Sequence, residues 1–121
     1  MRIKAFVFLI FGFCASFAQA GDKTIGVLVW DGVLTSDITG PLEVFGQAST
    51  LSWFTDYKVS TINVGEGTSI KTHEGLSLIV DAHLKDAPKV DVLLVPSSYD
   101  MDPVLKSENV IDYIRDTATR A

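Results

Sequence analysis

Residues 25–48 read IGVLVWDGVLTSDITGPLEVFGQA, and the division of this stretch into elements decides the fold. It opens on an unbroken apolar run, Ile25 to Trp30, rich in β-branched residues and closed by Asp31-Gly32. A run of that kind reads as a strand buried on both faces. A loop carrying Asp37 follows. Then come Gly40 and Pro41, and proline is favoured at the first position of a helix, where its missing N–H has no partner to lose. From Pro41, the apolar residues Leu42, Val44, Phe45, Ala48 and Leu51 predict a mostly buried helix, with Glu43 in its first turn. The order is strand, acid-bearing loop, helix. In an open α/β sheet ligands bind beyond the carboxyl ends of the strands, and Asp37 and Glu43 both fall there.

The pattern V-L-V-W-D-G-V-x-x-x-D-I-T-G-P-L-E-V-F over residues 27–45 resembles the first strand, loop and helix of the ThiJ/PfpI superfamily. Within it, the branch shared by isocyanide hydratases and the sensory domains of AraC-type regulators is the most similar. Further on, Asp91-Val-Leu-Leu-Val-Pro is similar to the family's D-V-L-x-V-P-G-G strand, so the resemblance runs from about Thr24 to Ala121.

The first twenty residues read differently from the rest. Arg2 and Lys4 precede an apolar stretch from Ala5 to Phe17, and Ala18-Gln19-Ala20 has the small-x-small form of a cleavage site. This is the pattern of a secretory signal peptide, whose apolar core falls short of the about twenty residues a membrane span needs. The expectation is a chain exported to the periplasm or beyond, cut after Ala20, with no stable membrane anchor. The only cysteine, Cys14, lies inside the removed segment, so residues 21–121 carry no disulfide and no thiolate. Taking Arg2 and Lys4 from the ten basic residues leaves eight against fifteen acidic ones, a net charge of −7. An acidic surface disfavours nucleic acid and anionic membrane as partners. The remaining 101 residues suffice for one small domain.

Tyr57 to Val64 predicts a second, more exposed strand ended by Gly65-Glu66-Gly67. Short extended runs at Ser69–Thr72 and Leu76–Val80 flank His73-Glu74-Gly75 and suggest a hairpin. Asp81 to Asp86 suggests one helical turn stopped by Pro88. Val90 to Pro96 repeats the signature of a strand buried on both faces, with Ser97 to Asp100 as the loop after it. From Met101 the apolar period becomes helical and is broken near Ser107, where Ser107 and Glu108 suit a cap and first turn. Strands alternating with helices, the most apolar strands continuous, mean a parallel sheet covered on both faces. The fold expected is α/β, a flavodoxin-like doubly wound parallel sheet. A crossover helix returns the chain to another parallel strand, and here the sequence closes on such a helix. In the family the next strand leads to a sharp turn bearing a nucleophilic Cys, so the resemblance implies the N-terminal part of a ThiJ/PfpI-like domain, cut before that strand.

Four residues are candidates for the site. The resemblance sets Asp37 opposite the absent Cys as its proton partner, where a neighbouring thiolate would raise the carboxyl's pKa. Spacing alone reads Asp37 as a cap for the helix at Gly40-Pro41. Glu43 is a second acid near the pocket by resemblance, and by position a carboxylate at a helix N-terminus. Ser97 and Ser98 stand where the family has Gly-Gly, whose backbone N–H groups help form an oxyanion hole. Ser97 is no nucleophile in its own right, since Val95 and Tyr99 flank it where a nucleophile elbow needs small residues. His73 and His83 read as solvated, without partners at metal-site spacing, so no metal or cofactor is expected. Trp30 reads as the edge of the core, and Asp100 and Asp102 as a solvated loop.

The resemblance implies Cys-dependent hydrolase or hydratase chemistry on small molecules, provided a C-terminal half supplies the nucleophile. The alternatives are a non-catalytic small-molecule-binding or interaction domain, or a degenerate fragment. A homodimer is expected, both from the family and from the apolar surface that an unfinished sheet leaves.

Overall fold

The computed structural model describes residues 21–53 and 55–120. The export signal read over residues 1–20, with Cys14 and the cleavage site, lies outside them, as do Phe54 and Ala121. The elements run β1 (Lys23–Val29), α1 (Thr35–Leu51), β2 (Tyr57–Asn63), β3 (Ser69–Lys71), β4 (Ser77–Ile79), β5 (Ala82–His83), a single 3₁₀ turn at Leu84–Asp86, β6 (Val92–Leu94), α2 (Asp102–Leu105) and α3 (Glu108–Arg120).

A four-stranded sheet of order β5-β2-β1-β6 holds the molecule together, and every pairing in it is parallel. β1 and β2 pair over seven residues, from Lys23 with Tyr57 to Val29 with Asn63. Five consecutive residues of β1, Ile25 to Val29, are buried, as is Trp30 after them. Successive side chains of a strand point to opposite faces, so consecutive burial means that both faces are covered. The parallel α/β, flavodoxin-like architecture expected from the sequence is the one observed. β2 is buried from Ser60 to Asn63, and only its first half is the more exposed strand the sequence suggested.

β3 and β4 form the expected hairpin, a separate antiparallel pair with Ile70 opposite Leu78. The turn expected over residues 81–86 is split. Asp81 accepts hydrogen bonds at 2.8 Å from the Thr61 N–H and hydroxyl, which draws Ala82–His83 alongside Ile62–Asn63 as β5 and leaves only Leu84–Asp86 helical. The break at Ser107 is also observed, and the Ser107 carbonyl accepts from the Ile111 N–H at 3.1 Å at the start of α3.

Two expectations are corrected. α1 begins at Thr35 rather than Pro41, so Gly40 and Pro41 lie within it and the carbonyl that Pro41 cannot serve is that of Asp37. Nor is α1 mostly buried: Ile38 is its one buried residue, while Val44 is 65% and Leu51 77% exposed. The second correction concerns β6, which is not covered on both faces. It pairs with β1 alone, and Val92 and Val95 remain 41% and 43% exposed.

Candidate functional site

The chain runs outward from β1 to β2 and β5 on one side, then crosses back to place β6 on the other. The order therefore reverses between β1 and β6, and a crevice opens at such a point beyond the carboxyl ends of the strands. The loops leaving β1 and β6 meet there. The Leu34 N–H donates to the Ser97 carbonyl at 3.1 Å, Val33 and Ser98 form an antiparallel bridge, and the Ser98 hydroxyl donates to the Gly32 carbonyl at 2.7 Å. Gly32 turns the chain at φ +89°, a backbone state costly for any residue with a Cβ.

Asp37 stands in the first turn of α1 and faces this junction. Its Oδ2 accepts the Ser97 hydroxyl at 2.6 Å and the Ser97 N–H at 2.9 Å. Its Oδ1 has only a 3.4 Å contact from the Ser36 hydroxyl, so one oxygen of the pair is open to a further donor. The Ser97 hydroxyl, then its N–H, hold the Asp37 carboxyl below the usual carboxylate value, against a small opposing effect of burial. Within this chain the group Asp37 meets is a donor pair, which favours the charged form. This contact replaces the reading of Asp37 as a cap for a helix at Gly40-Pro41. Asp37, Ser36 and Pro41 from α1, with Leu94, Val95 and Pro96 from β6 and its end, line an open recess of about 360 Å³.

Ser97 and Ser98 thus reach the site, although not as a pair of free backbone donors. The Ser97 N–H is spent on Asp37, and the Ser98 hydroxyl on Gly32. Glu43 does not reach it. With α1 starting six residues earlier than expected, Glu43 falls in mid-helix, exposed and outside the lining of the recess.

The site has a brace that the sequence reading missed. Asp31 accepts the Lys71 N–H at 2.8 Å, the Gly32 N–H donates to the Lys71 carbonyl at 2.8 Å, and the His73 N–H donates to Val33 at 3.0 Å. These bonds tie the β3–β4 hairpin to the loop after β1. Glu74, at the hairpin turn, accepts the Thr35 hydroxyl at 2.6 Å and its N–H at 2.9 Å. Leu34 at the N-cap offers no side-chain acceptor, so the start of α1 is capped from a different element. The Thr35 hydroxyl and then its N–H hold Glu74 below the usual value. Buried Thr72 completes the group: its hydroxyl donates to the Thr35 oxygen at 2.7 Å, whose own proton goes to Glu74, and accepts the Leu76 N–H at 3.0 Å. No local signal marks Glu74 as a cap, because its partner lies 39 residues away.

The two histidines stay apart. The His73 ring packs on Tyr99 with centroids 4.6 Å apart, while His83 Nε2 lies 3.1 Å from the Gly67 carbonyl beside a separate polar cleft lined also by Lys85, Asp112 and Tyr113. Among the described residues no group of three or more His, Cys, Asp or Glu side chains converges as a metal site, and no helix is long and apolar enough to cross a membrane. Trp30 is core, as its strand position suggested, with an indole N–H that has no partner among the described residues.

Comparison with known proteins agrees with this geometry. No family model matches the sequence. An uncharacterized protein in the cpoL 5′ region of Streptomyces lividans is 32% identical over 76 residues, covering 63% of this chain and 52% of its own length. The isonitrile hydratase of Pseudomonas putida is 27% identical over 97 residues, covering 80% of this chain and 40% of that one. The crystal structure of a ThiJ/PfpI family protein from Pseudomonas syringae superposes with a TM-score of 0.69 at 22% identity, over 85% of this chain and 40% of the other. The fold is the one found in ThiJ/PfpI and DJ-1 proteins, and together with the likeness to an isonitrile hydratase it supports the ThiJ/PfpI superfamily. The chain spans about half the length of the curated relatives it matches, or less.

Proposed function

We propose that this chain is the acid-bearing part of an exported ThiJ/PfpI-type small-molecule site. The observation that carries the reading is Asp37 at the reversal of strand order, its Oδ2 held by the Ser97 hydroxyl and N–H and its side chain lining the recess. The likeness to an isonitrile hydratase favours small polar substrates of the isonitrile, amide or carbonyl kind. Where a C-terminal half supplies a thiol above β1 and β6, the Asp37 carboxylate is placed to take its proton. The resulting thiolate attacks the electrophilic carbon, and the carboxyl returns the proton to the adduct. Export rests on the signal read over residues 1–20.

A non-catalytic reading has its own support. The Ser97 N–H that would line an oxyanion hole is already engaged, which suits a pocket that binds a donor-bearing ligand through Asp37 without transforming it. One experiment separates the two. The chain is extended with the C-terminal part of the Pseudomonas putida isonitrile hydratase that lies beyond the matched stretch, and hydration of a small isonitrile is followed. The catalytic reading expects turnover that Asp37→Asn lowers at least a hundredfold, in line with the loss of a general acid–base. A folded chimera that raises its melting temperature with the isonitrile but does not turn it over assigns the binding role. A folded chimera that does neither overturns both.

A further inference from the structure

The polar cleft beside His83 is separate from the Asp37 recess, and the two share no lining residue. It encloses about 360 Å³ between the ends of β2 and β5 on one side and α3 on the other. This is the β5 side of the sheet, with β2 and β1 between it and β6. Bonds within the fold set its wall. Buried Asn63 accepts the Gly65 N–H at 2.9 Å and donates to the Gly67 carbonyl at 2.6 Å, and His83 Nε2 lies 3.1 Å from that same carbonyl. Val64, Leu84 and Tyr113 pack against the core and give the cleft apolar surface. Its charges are of both signs. Lys85 comes from the 3₁₀ turn, Glu66 from the loop after β2 and Asp116 from α3, all three exposed. They line one small cleft, yet no ion pair among the described residues joins any of them. The remaining acid, Asp112, is already held by Arg115.

We propose that this cleft binds a free amino acid with an apolar side chain, its carboxylate on Lys85 and its ammonium on Glu66 and Asp116. A ligand of one sign does not satisfy the set. An anion meets Lys85 but adds a negative charge beside two unpaired carboxylates. An amine meets the carboxylates and leaves Lys85 facing a further cation. A zwitterion gives each group its counterpart and adds no net charge. Hydrogen bonds between ionised groups are roughly twice as strong as neutral ones, so the two polar ends fix the orientation of the ligand. The surface of Val64, Leu84 and Tyr113 then receives the side chain, and a few polar groups over an apolar lining is the composition of a small-molecule site. The volume lies near the bottom of the about 300–1,000 Å³ usual for such sites, which suits one amino acid rather than a peptide. Leucine is the simplest ligand of this kind.

Titration of the purified protein with millimolar L-leucine, followed by two-dimensional amide NMR, tests this without any turnover. Its outcome is therefore independent of the chemistry proposed for Asp37. The expected result is a saturable shift of the resonances of residues 64–66, 83–85 and 107–116, with those of Asp37 and Ser97 unmoved. Leucine amide, which lacks the carboxylate, and N-acetylleucine, which lacks the ammonium, are each expected to bind about tenfold more weakly or worse. Lys85→Glu and Asp116→Asn are each expected to weaken leucine binding by a similar factor, and both replace exposed side chains, so the fold is retained. The absence of a saturable shift overturns the proposal. So does either capped form binding as tightly as leucine, and so does a shift that centres on Asp37 and survives Lys85→Glu.

Discussion

β1 and β6 are written in nearly the same letters, Ile-Gly-Val-Leu-Val and Val-Leu-Leu-Val, yet they live in different surroundings. β1 lies between β2 and β6 and is sealed from Ile25 to Trp30. β6 has one strand neighbour, and its ends look out on solvent. A continuous apolar run records that a strand is made to be covered on both faces. It does not record whether its second neighbour is present.

The sharpest way to break the comparison is to shorten a side chain in each strand and follow chemical denaturation. Leu28→Ala in β1 removes a fully buried side chain from the core cluster and is expected to cost about 2–5 kcal/mol. Val92→Ala in β6 is expected to cost less than about 1 kcal/mol, because water already reaches the site; equal losses would mean that the edge is sealed in solution. A smaller effect tests the brace that holds the loop after β1. Thr72→Val keeps the shape but removes the donor to the Thr35 oxygen and the acceptor of the Leu76 N–H, for an expected loss of about 1 kcal/mol in the same melts.

The smallest effect is one of pH. Asp37, Glu74 and Asp91 all have folded-state pKa values held below their ordinary ones, so each stabilises the fold at pH values above its unfolded pKa. That contribution is lost as pH falls through the folded values. Thermal melts are therefore expected to be level between about pH 7 and 5 and to fall on acidification below about pH 4. Glu74→Gln is expected to flatten part of that fall, since the neutral amide has no charge to lose. An unchanged pH profile in Glu74→Gln would remove Glu74 as the cap of α1.

Local pattern was enough for much of this. The strand from Ile25, the hairpin around Gly75, the break at Ser107 and the parallel class of the sheet all follow from periodicity and turn residues. So does the placing of Asp37 beyond a strand end. The start of α1 was not legible, because its usual signals point the wrong way: Pro41 marks a helix start by habit, whereas the N–H of Thr35 is capped by Glu74 from the hairpin. Misplacing that start also misplaced Glu43, which a shift of six residues moved from the helix entrance to its exposed middle. Ser97 and Ser98 were found by their place after β6, while their spent donors were not.

By itself, then, the sequence determined the two long inner strands, the hairpin and the helical stretches, though not β5 within 81–86, and that an acid follows the first strand, because hydrophobic period and turn chemistry act over a few residues. Tertiary structure alone decided that Asp37 is held by Ser97, that α1 begins at Thr35, and that β6 pairs with β1 alone among the described strands. Each of those depends on a partner 39 or 60 residues away in sequence, or on a neighbour strand, and no local pattern encodes the distance between them.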